Sequence, residues 1–333
     1  MAETVRNSCK ILKKSEIKYV FWSVEFPPTF AILKSLLTSN QIVYLKGLIP
    51  VQRLIRVYEV SFVFHLFVKL YIKNIVKKSG VMTEDNIVFV YTNPWTEFLQ
   101  RSHILSWIKK TYPNSMHVVW FLDITIAKKM DIDFLKSVYD ELYVYDEVEA
   151  ANMQIRFSEA SYSKNYETPS HTNEIYDVTY VGQAKDRLNE IHDVYKRLSE
   201  LGLKCKFFIV NANDEEKIKG EGLLYSDHFL TEEEYFNEYI SKSKCLLEIS
   251  NPGTWAITAR VREAILYEKK LLTNNLSIKN FKYYNSENIM AYTSVNEINQ
   301  HFFTSPACDY GYEEEYEPLK FLDELYVEYC KRL

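Results

Sequence analysis

Apolar runs of strand length alternate along this chain with longer segments of helical length. In the first half, runs at 18–23, 41–46, 86–93, 117–123 and 141–146 are dense in Val, Ile, Phe, Tyr and Trp. None shows the strict polar alternation of a sheet with one wet face. Each is therefore expected to be buried on both faces, as in a parallel sheet covered by helices. Helical segments are expected between them, around 28–38, 50–78, 95–111, 132–139 and 147–153. Over 157–174 the pattern gives way to a polar stretch without a period, which reads as an interdomain linker. It then restarts, with strands expected at 176–182, 204–210, 244–249, 269–274 and 289–292. Helices fit 185–201, 231–241, 258–267 and 295–303.

The expected fold class is therefore α/β, with two Rossmann-like domains facing a cleft. The boundaries are an N-terminal domain over 1–160, a linker at 161–174, a second domain over 175–310 and a C-terminal helix within 311–333. That tail is acidic, and after Pro318 it places Leu319, Leu322, Leu325, Tyr326 and Tyr329 on one helix face. Either domain would serve as its seat.

The length of 333 residues agrees with two domains. Glycine changes the functional picture, because there are only 8 in the chain and none falls in a phosphate-cradling Gly-rich loop. A P-loop NTPase and a dinucleotide-dependent dehydrogenase of the usual kind are thereby disfavoured, so any phosphate must be held by helix N-termini and basic side chains. The 5 cysteines are scattered, which reads as reduced thiols in a cytoplasmic protein. Neither the cysteines nor the histidines have metal-ligand spacing, so no metal and no cofactor is expected. Asp131-Ile-Asp133 reads as a helix start rather than a metal motif.

Residues 1–80 hold thirteen Lys/Arg against four Asp/Glu, whereas the whole chain carries −5. A basic front and an acidic remainder make a polarised molecule. Segment 49–79 mixes apolar and basic residues but is too broken by charge to span a bilayer. It is either a core helix or a surface helix lying on an anionic membrane, with Lys69, Lys73, Lys77 and Lys78 toward headgroups. No nucleic-acid-binding module is recognisable.

Candidate chemistry is densest in the second half. The strand at 176–182 ends in Gly182, and a polar turn with Lys185 and Arg187 leads into a helix. Ligands of open α/β sheets bind at this edge, and these side chains would offer charge to a phosphate. The strand at 244–249 runs into a turn at Pro252-Gly253, and the next helix begins near Thr258. Arg260 and Glu263 share one face of that helix. A carboxylate there suits the two hydroxyls of a ribose, and the arginine suits a departing diphosphate. The alternative is a plain i, i+3 ion pair on a surface helix.

The C-terminal two-thirds of the chain resembles bacterial GT-B-type glycosyltransferases of lipopolysaccharide and capsular polysaccharide biosynthesis. The resemblance rests on 178–187, on Thr258, Arg260, Glu263, Ala264, Lys269, Lys270, Thr273 and Asn275, and on Tyr284 and Asn288. It implies transfer of a sugar from a nucleotide-sugar donor to a glycan or lipid-linked glycan. It also implies that Glu263 binds the donor ribose, with Gly182, Lys185, Arg187, Gly253, Thr258, Arg260 and Asn275 around the donor. Trp255 stands where many retaining members carry a second acid, and Ala256 where a glycine is usual.

The first domain is expected to hold the acceptor and a catalytic base. Asp123 ranks first; Glu97, with His103 on the same expected helix, and Glu25 are the other strand-end candidates. Two rivals remain open: a catalytically silent glycan-binding partner on the same fold, and a pyruvyl transferase.

Overall fold

The computed structural model describes residues 12–23, 32–46, 62–92, 99, 104–123, 127–250, 257–305, 307 and 309–333. The chain forms two compact units, Met1–Ser163 with Glu315–Leu333, and Lys164–Glu314.

The first unit is built on a six-stranded, wholly parallel sheet. Its strands are β1 (Ile17–Ser23), β2 (Ile42–Lys46), β3 (Asn86–Thr92), β4 (Ser115–Phe121), β5 (Glu141–Val144) and β6 (Arg156–Phe157), in the order β2-β1-β3-β4-β5-β6. Alternate side chains of β1 enter two different cores. Val20 and Trp22 lie with Phe89, Tyr91 and Val119 on one face, whereas Tyr19 and Phe21 lie with Val88, Val90 and Trp120 on the other. The absence of polar alternation in the sequence has this cause.

The helices described here are α1 (Lys34–Leu37), α2 (Phe62–Lys78), α3 (Ile104–Thr111), α4 (Ile132–Val138) and α5 (Glu147–Met153). Asp131 caps α4 by accepting from the Phe134 amide at 3.0 Å, as expected of a helix start. Helix α2 buries Ile72 and Val76 in the core but leaves Leu66 and Leu70 more than half exposed. The C-terminal helix, Phe321–Lys331, closes the second face of this same sheet. Phe321 stacks on Trp120 with ring centroids 4.1 Å apart, and the Tyr329 hydroxyl donates to the Asn114 carbonyl at 2.6 Å. The polar stretch that follows β6 is built into the unit: Ser158, Ser161 and Ser163 are buried and hydrogen-bonded, Ser163 to Ser35 at 2.8 Å.

The second unit repeats the architecture. Its strands are β7 (Tyr176–Gln183), β8 (Cys205–Val210), β9 (Leu223–Ser226), β10 (Ser243–Glu248), β11 (Lys270–Thr273) and β12 (Ile289–Ala291), all parallel, ordered β12-β11-β10-β7-β8-β9. Helix α6 (Leu188–Glu200) buries Leu188, Ile191, Val194, Tyr195 and Leu198 along one stripe. Helix α7 (Glu232–Tyr235) continues into a π-turn at Phe236–Ile240, and α8 spans Ala259–Leu266.

Strand β9 has no counterpart in the sequence expectations. Its entry depends on Gly222, at φ +82°, where a Cβ would lie 2.1 Å from the Cys205 carbonyl oxygen. The helix expected at 295–303 is instead two separate 3-10 turns, Val295–Glu297 and Gln300–Phe303. Ser294 and Asn299 each cap their own turn, and Ile298 between them is extended, so no helix can run through.

Candidate nucleotide-sugar site

In the second unit the strand order reverses direction between β7 and β10. From β7 the chain steps outward to β8 and then β9 on one side, and from β9 it crosses back to β10 on the other side of β7. In open α/β sheets ligands bind outside the carboxyl ends of the strands at such a switch point. Arg187, in the 3-10 turn Lys185–Arg187 after β7, spans this point. Its Nη2 donates to the Gln183 carbonyl of β7 at 3.1 Å, and its Nη1 to the Ile249 carbonyl just past β10. Among the described residues it has no ion-pair partner, and its buried Nε has no hydrogen-bond partner.

Arg260 reaches the same edge from the first turn of α8. Its Nη2 donates to the Val181 carbonyl at 2.8 Å and its Nη1 to Glu263 Oε2 at 2.6 Å. The same Glu263 oxygen accepts the Tyr235 hydroxyl at 2.5 Å, and the Arg260 guanidinium lies 4.8 Å from the Tyr235 ring centroid. The i, i+3 pair foreseen from spacing is present, but it is not a solvated surface pair. Glu263 is 6 % exposed and Arg260 17 %.

Thr258 precedes α8 without capping it, because its hydroxyl is turned onto Glu248 Oε1. Thr273, at the end of β11, donates to Glu248 Oε2 at 2.5 Å. Glu248 thus ties the ends of β10, β11 and α8 together, and its burial raises the carboxyl pKa. Asn275 is buried and caps the following 3-10 turn, accepting from the Ser277 amide at 3.1 Å. Its neighbour Asn274 faces the switch point, exchanging hydrogen bonds with the Ser250 backbone at 2.7 and 3.2 Å.

Gly182 sits among these groups, but the space a Cβ would take is filled by the Tyr180 phenol, whose oxygen is 2.5 Å from that position. The glycine serves Tyr180, two residues back on the same strand face. The Tyr180 hydroxyl is buried with no partner among the described residues, and burial raises its pKa against the opposing pull of Arg187 and Arg260. Lys185 is exposed and holds a left-handed φ of +42°.

Gly182, Arg187, Thr258 and Arg260 with Glu263 therefore converge on one strand edge. Asn275 lies one position past Asn274, with its side chain committed to the turn. Glu248, Asn274 and Tyr235 also belong to the cluster and carry no local sequence signal. Gly253 lies outside the described residues. In the first unit, Asp123 is exposed two residues beyond β4, with its carbonyl accepting from the Ala127 amide at 3.1 Å. Glu97, His103 and Glu25 lie outside the described residues.

Lys269 and Lys270, two residues of the sequence motif, are both buried in structural contacts. Lys269 pairs with Glu174 at 2.7 Å, and Lys270 donates to the Glu287 and Phe302 carbonyls at 2.9 and 2.6 Å. Among the described residues no group of three or more His, Cys, Asp or Glu side chains could hold a metal ion. None of the described helices is long and apolar enough to cross a membrane.

These two parallel α/β units define a GT-B-like fold. No protein-family model and no curated protein sequence matches the chain. Among solved structures the chain is similar to Anabaena HepE, determined in complex with UDP-glucose. The identity is 9 %, the TM-score 0.55, and the alignment covers 95 % of this chain and 100 % of that one. It also aligns with a glycosyltransferase from Rickettsia africae at 10 % identity and a TM-score of 0.46, covering 95 % of this chain and 96 % of that one. At 9 % identity the likeness to HepE establishes the fold.

Proposed function

We propose that the protein is a glycosyltransferase that binds a nucleotide-sugar donor at the β7–β10 switch point of its second unit. The observation that carries this reading is Arg187, whose guanidinium bridges two strand ends at the place where open α/β sheets take ligands and has no ion-pair partner among the described residues. In this reading Arg187 and Arg260 face the diphosphate, and Glu263 accepts the ribose hydroxyls. Charge developing on the leaving diphosphate is balanced by groups already in place, which lowers the barrier without reorganisation. The Tyr235 contacts keep the Arg260–Glu263 pair in one orientation before the donor arrives.

The acceptor is proposed to be a surface glycan or lipid-linked glycan, of the lipopolysaccharide or capsule type, with Asp123 as the base that takes its hydroxyl proton. Helix α2 is proposed to rest on an anionic membrane through Leu66 and Leu70, one turn apart and exposed, with Lys69 and Lys73 beside them.

Thermal stabilisation by UDP, GDP, CMP and ADP species tests the donor reading. At least one nucleotide is expected to raise the melting temperature, and Glu263→Ala and Arg260→Ala are each expected to abolish the shift. Retained affinity in both variants contradicts this placement of the donor.

A further inference from the structure

A second set of polar atoms stands at the same strand edge with unused hydrogen-bonding capacity. Glu190, in the first turn of α6, receives two hydrogen bonds on one oxygen: Asn274 Nδ2 donates to Oε1 at 3.0 Å and the Tyr292 hydroxyl at 3.2 Å. Its Oε2 accepts nothing among the described residues. Asn274 in turn clasps the Ser250 backbone, so Glu190 is linked through one amide side chain to the residue that follows the β10 edge. The Ser250 hydroxyl is buried, on a residue 7 % exposed, and has no partner among the described residues. Native proteins seldom leave buried hydroxyls unsatisfied, so an unpartnered hydroxyl and a half-used carboxylate joined by one amide call for an explanation.

We infer that Glu190 Oε2 and Ser250 Oγ recognise hydroxyl groups on the sugar moiety of the donor. This inference rests on the donor reading given above. A sugar hydroxyl both donates and accepts, so it can satisfy a carboxylate oxygen and a serine hydroxyl together. A diphosphate only accepts at neutral pH, and the Glu190 carboxylate repels it, whereas Arg187 attracts it. The two charges thereby orient the donor, with phosphates toward Arg187 and sugar toward Glu190. Burial raises the Tyr180 pKa, and Arg187 and Glu190 pull it in opposite directions, down and up; no ion pair joins Arg187 and Glu190 among the described residues.

The experiment compares a nucleoside diphosphate with the corresponding nucleotide-sugar, by calorimetry, in wild type, Glu190→Gln and Ser250→Ala. The nucleoside diphosphate is the one that most raises the wild-type melting temperature. Wild type is expected to bind the nucleotide-sugar more tightly than the bare diphosphate. Both variants are expected to lose that increment, roughly 10–100-fold for the carboxylate, the worth of a hydrogen bond to a charged group. Affinity for the bare diphosphate should stay within about twofold of wild type in Ser250→Ala, which changes no charge, and should be equal or higher in Glu190→Gln, which removes the repelling carboxylate. Ser250→Ala removes a hydroxyl that bonds nothing, so its fold is expected to be at least as stable as wild type and its loss cannot be ascribed to unfolding. No sugar increment in wild type, or one that both variants keep, overturns the assignment. A wild-type protein that binds no nucleotide overturns the donor reading itself.

Discussion

Replacing Glu174 by Ala tests the energetics of the second unit at its most demanding point. Lys269 is fully buried, and its ammonium depends on the Glu174 carboxylate, 6 % exposed, at 2.7 Å. The Tyr310 hydroxyl closes over the Lys269 carbonyl at 2.8 Å. Removing the carboxylate leaves a buried charge uncompensated, for which about 3–5 kcal/mol is the expected loss. For a unit of this size that is roughly 6–20 °C in melting temperature, at about 2–4 °C per kcal/mol.

The sign of the pH dependence follows from Lys269. Burial lowers its pKa below the ordinary lysine value, and Glu174 opposes that shift. Without Glu174 the folded-state pKa falls further, while the unfolded chain keeps about 10.4. Between those two values the unfolded state binds more protons, so the stability of the variant rises with pH across that window. Thermal unfolding followed by circular dichroism, at neutral pH and near pH ~9.5, should show a large loss that shrinks in the alkaline sample. Lys269→Met in the Glu174→Gln background should recover most of the stability, since no buried charge is left unpaired. A loss under about 1 kcal/mol, the range of an exposed pair, or one indifferent to pH, refutes the reasoning.

Burial lifts the Glu324 carboxyl to about 7, against the Ser158 hydroxyl that bonds it at 2.8 Å. The folded state therefore holds more protons than the unfolded one from about pH 4.3 up to that value, and the first unit loses stability as pH rises through this window. Glu324→Gln should flatten that slope in melting curves at pH 5 and 7.5, and an unchanged slope would falsify the attribution. For the α2 surface, sedimentation with vesicles containing anionic lipid should pull down wild type but not Leu66→Ser/Leu70→Ser, and loss of binding at high salt should follow from the lysines. Equal sedimentation of both proteins would remove α2 from the membrane reading.

Much of the fold was legible along the chain because its strands are buried on both faces. Runs such as those at 86–93 and 244–249 needed no long-range information to be placed. What escaped were the short edges: β6 has two exposed residues, and β9 depends on a left-handed glycine pressed against Cys205. The tail was readable as a helix from its spacing, but its seat was not. Phe321 selects the first unit by stacking on Trp120, roughly two hundred residues earlier in the chain.

The candidate site divides in the same way. Arg260 and Glu263 were visible as a pair because a helix turn brings residues three apart onto one face, and that geometry is local. Nothing local tells that Tyr235 shares their oxygen, that Glu248 gathers two threonine hydroxyls, or that Arg187 joins two strand ends. Those contacts depend on β10 lying beside β7, and strand order is set by crossovers that hydrophobic periodicity does not encode. The sequence by itself determined which segments would be buried and which helix face would carry charge. Only the tertiary structure decided where those charges meet, because adjacency in a parallel sheet is a property of the whole unit.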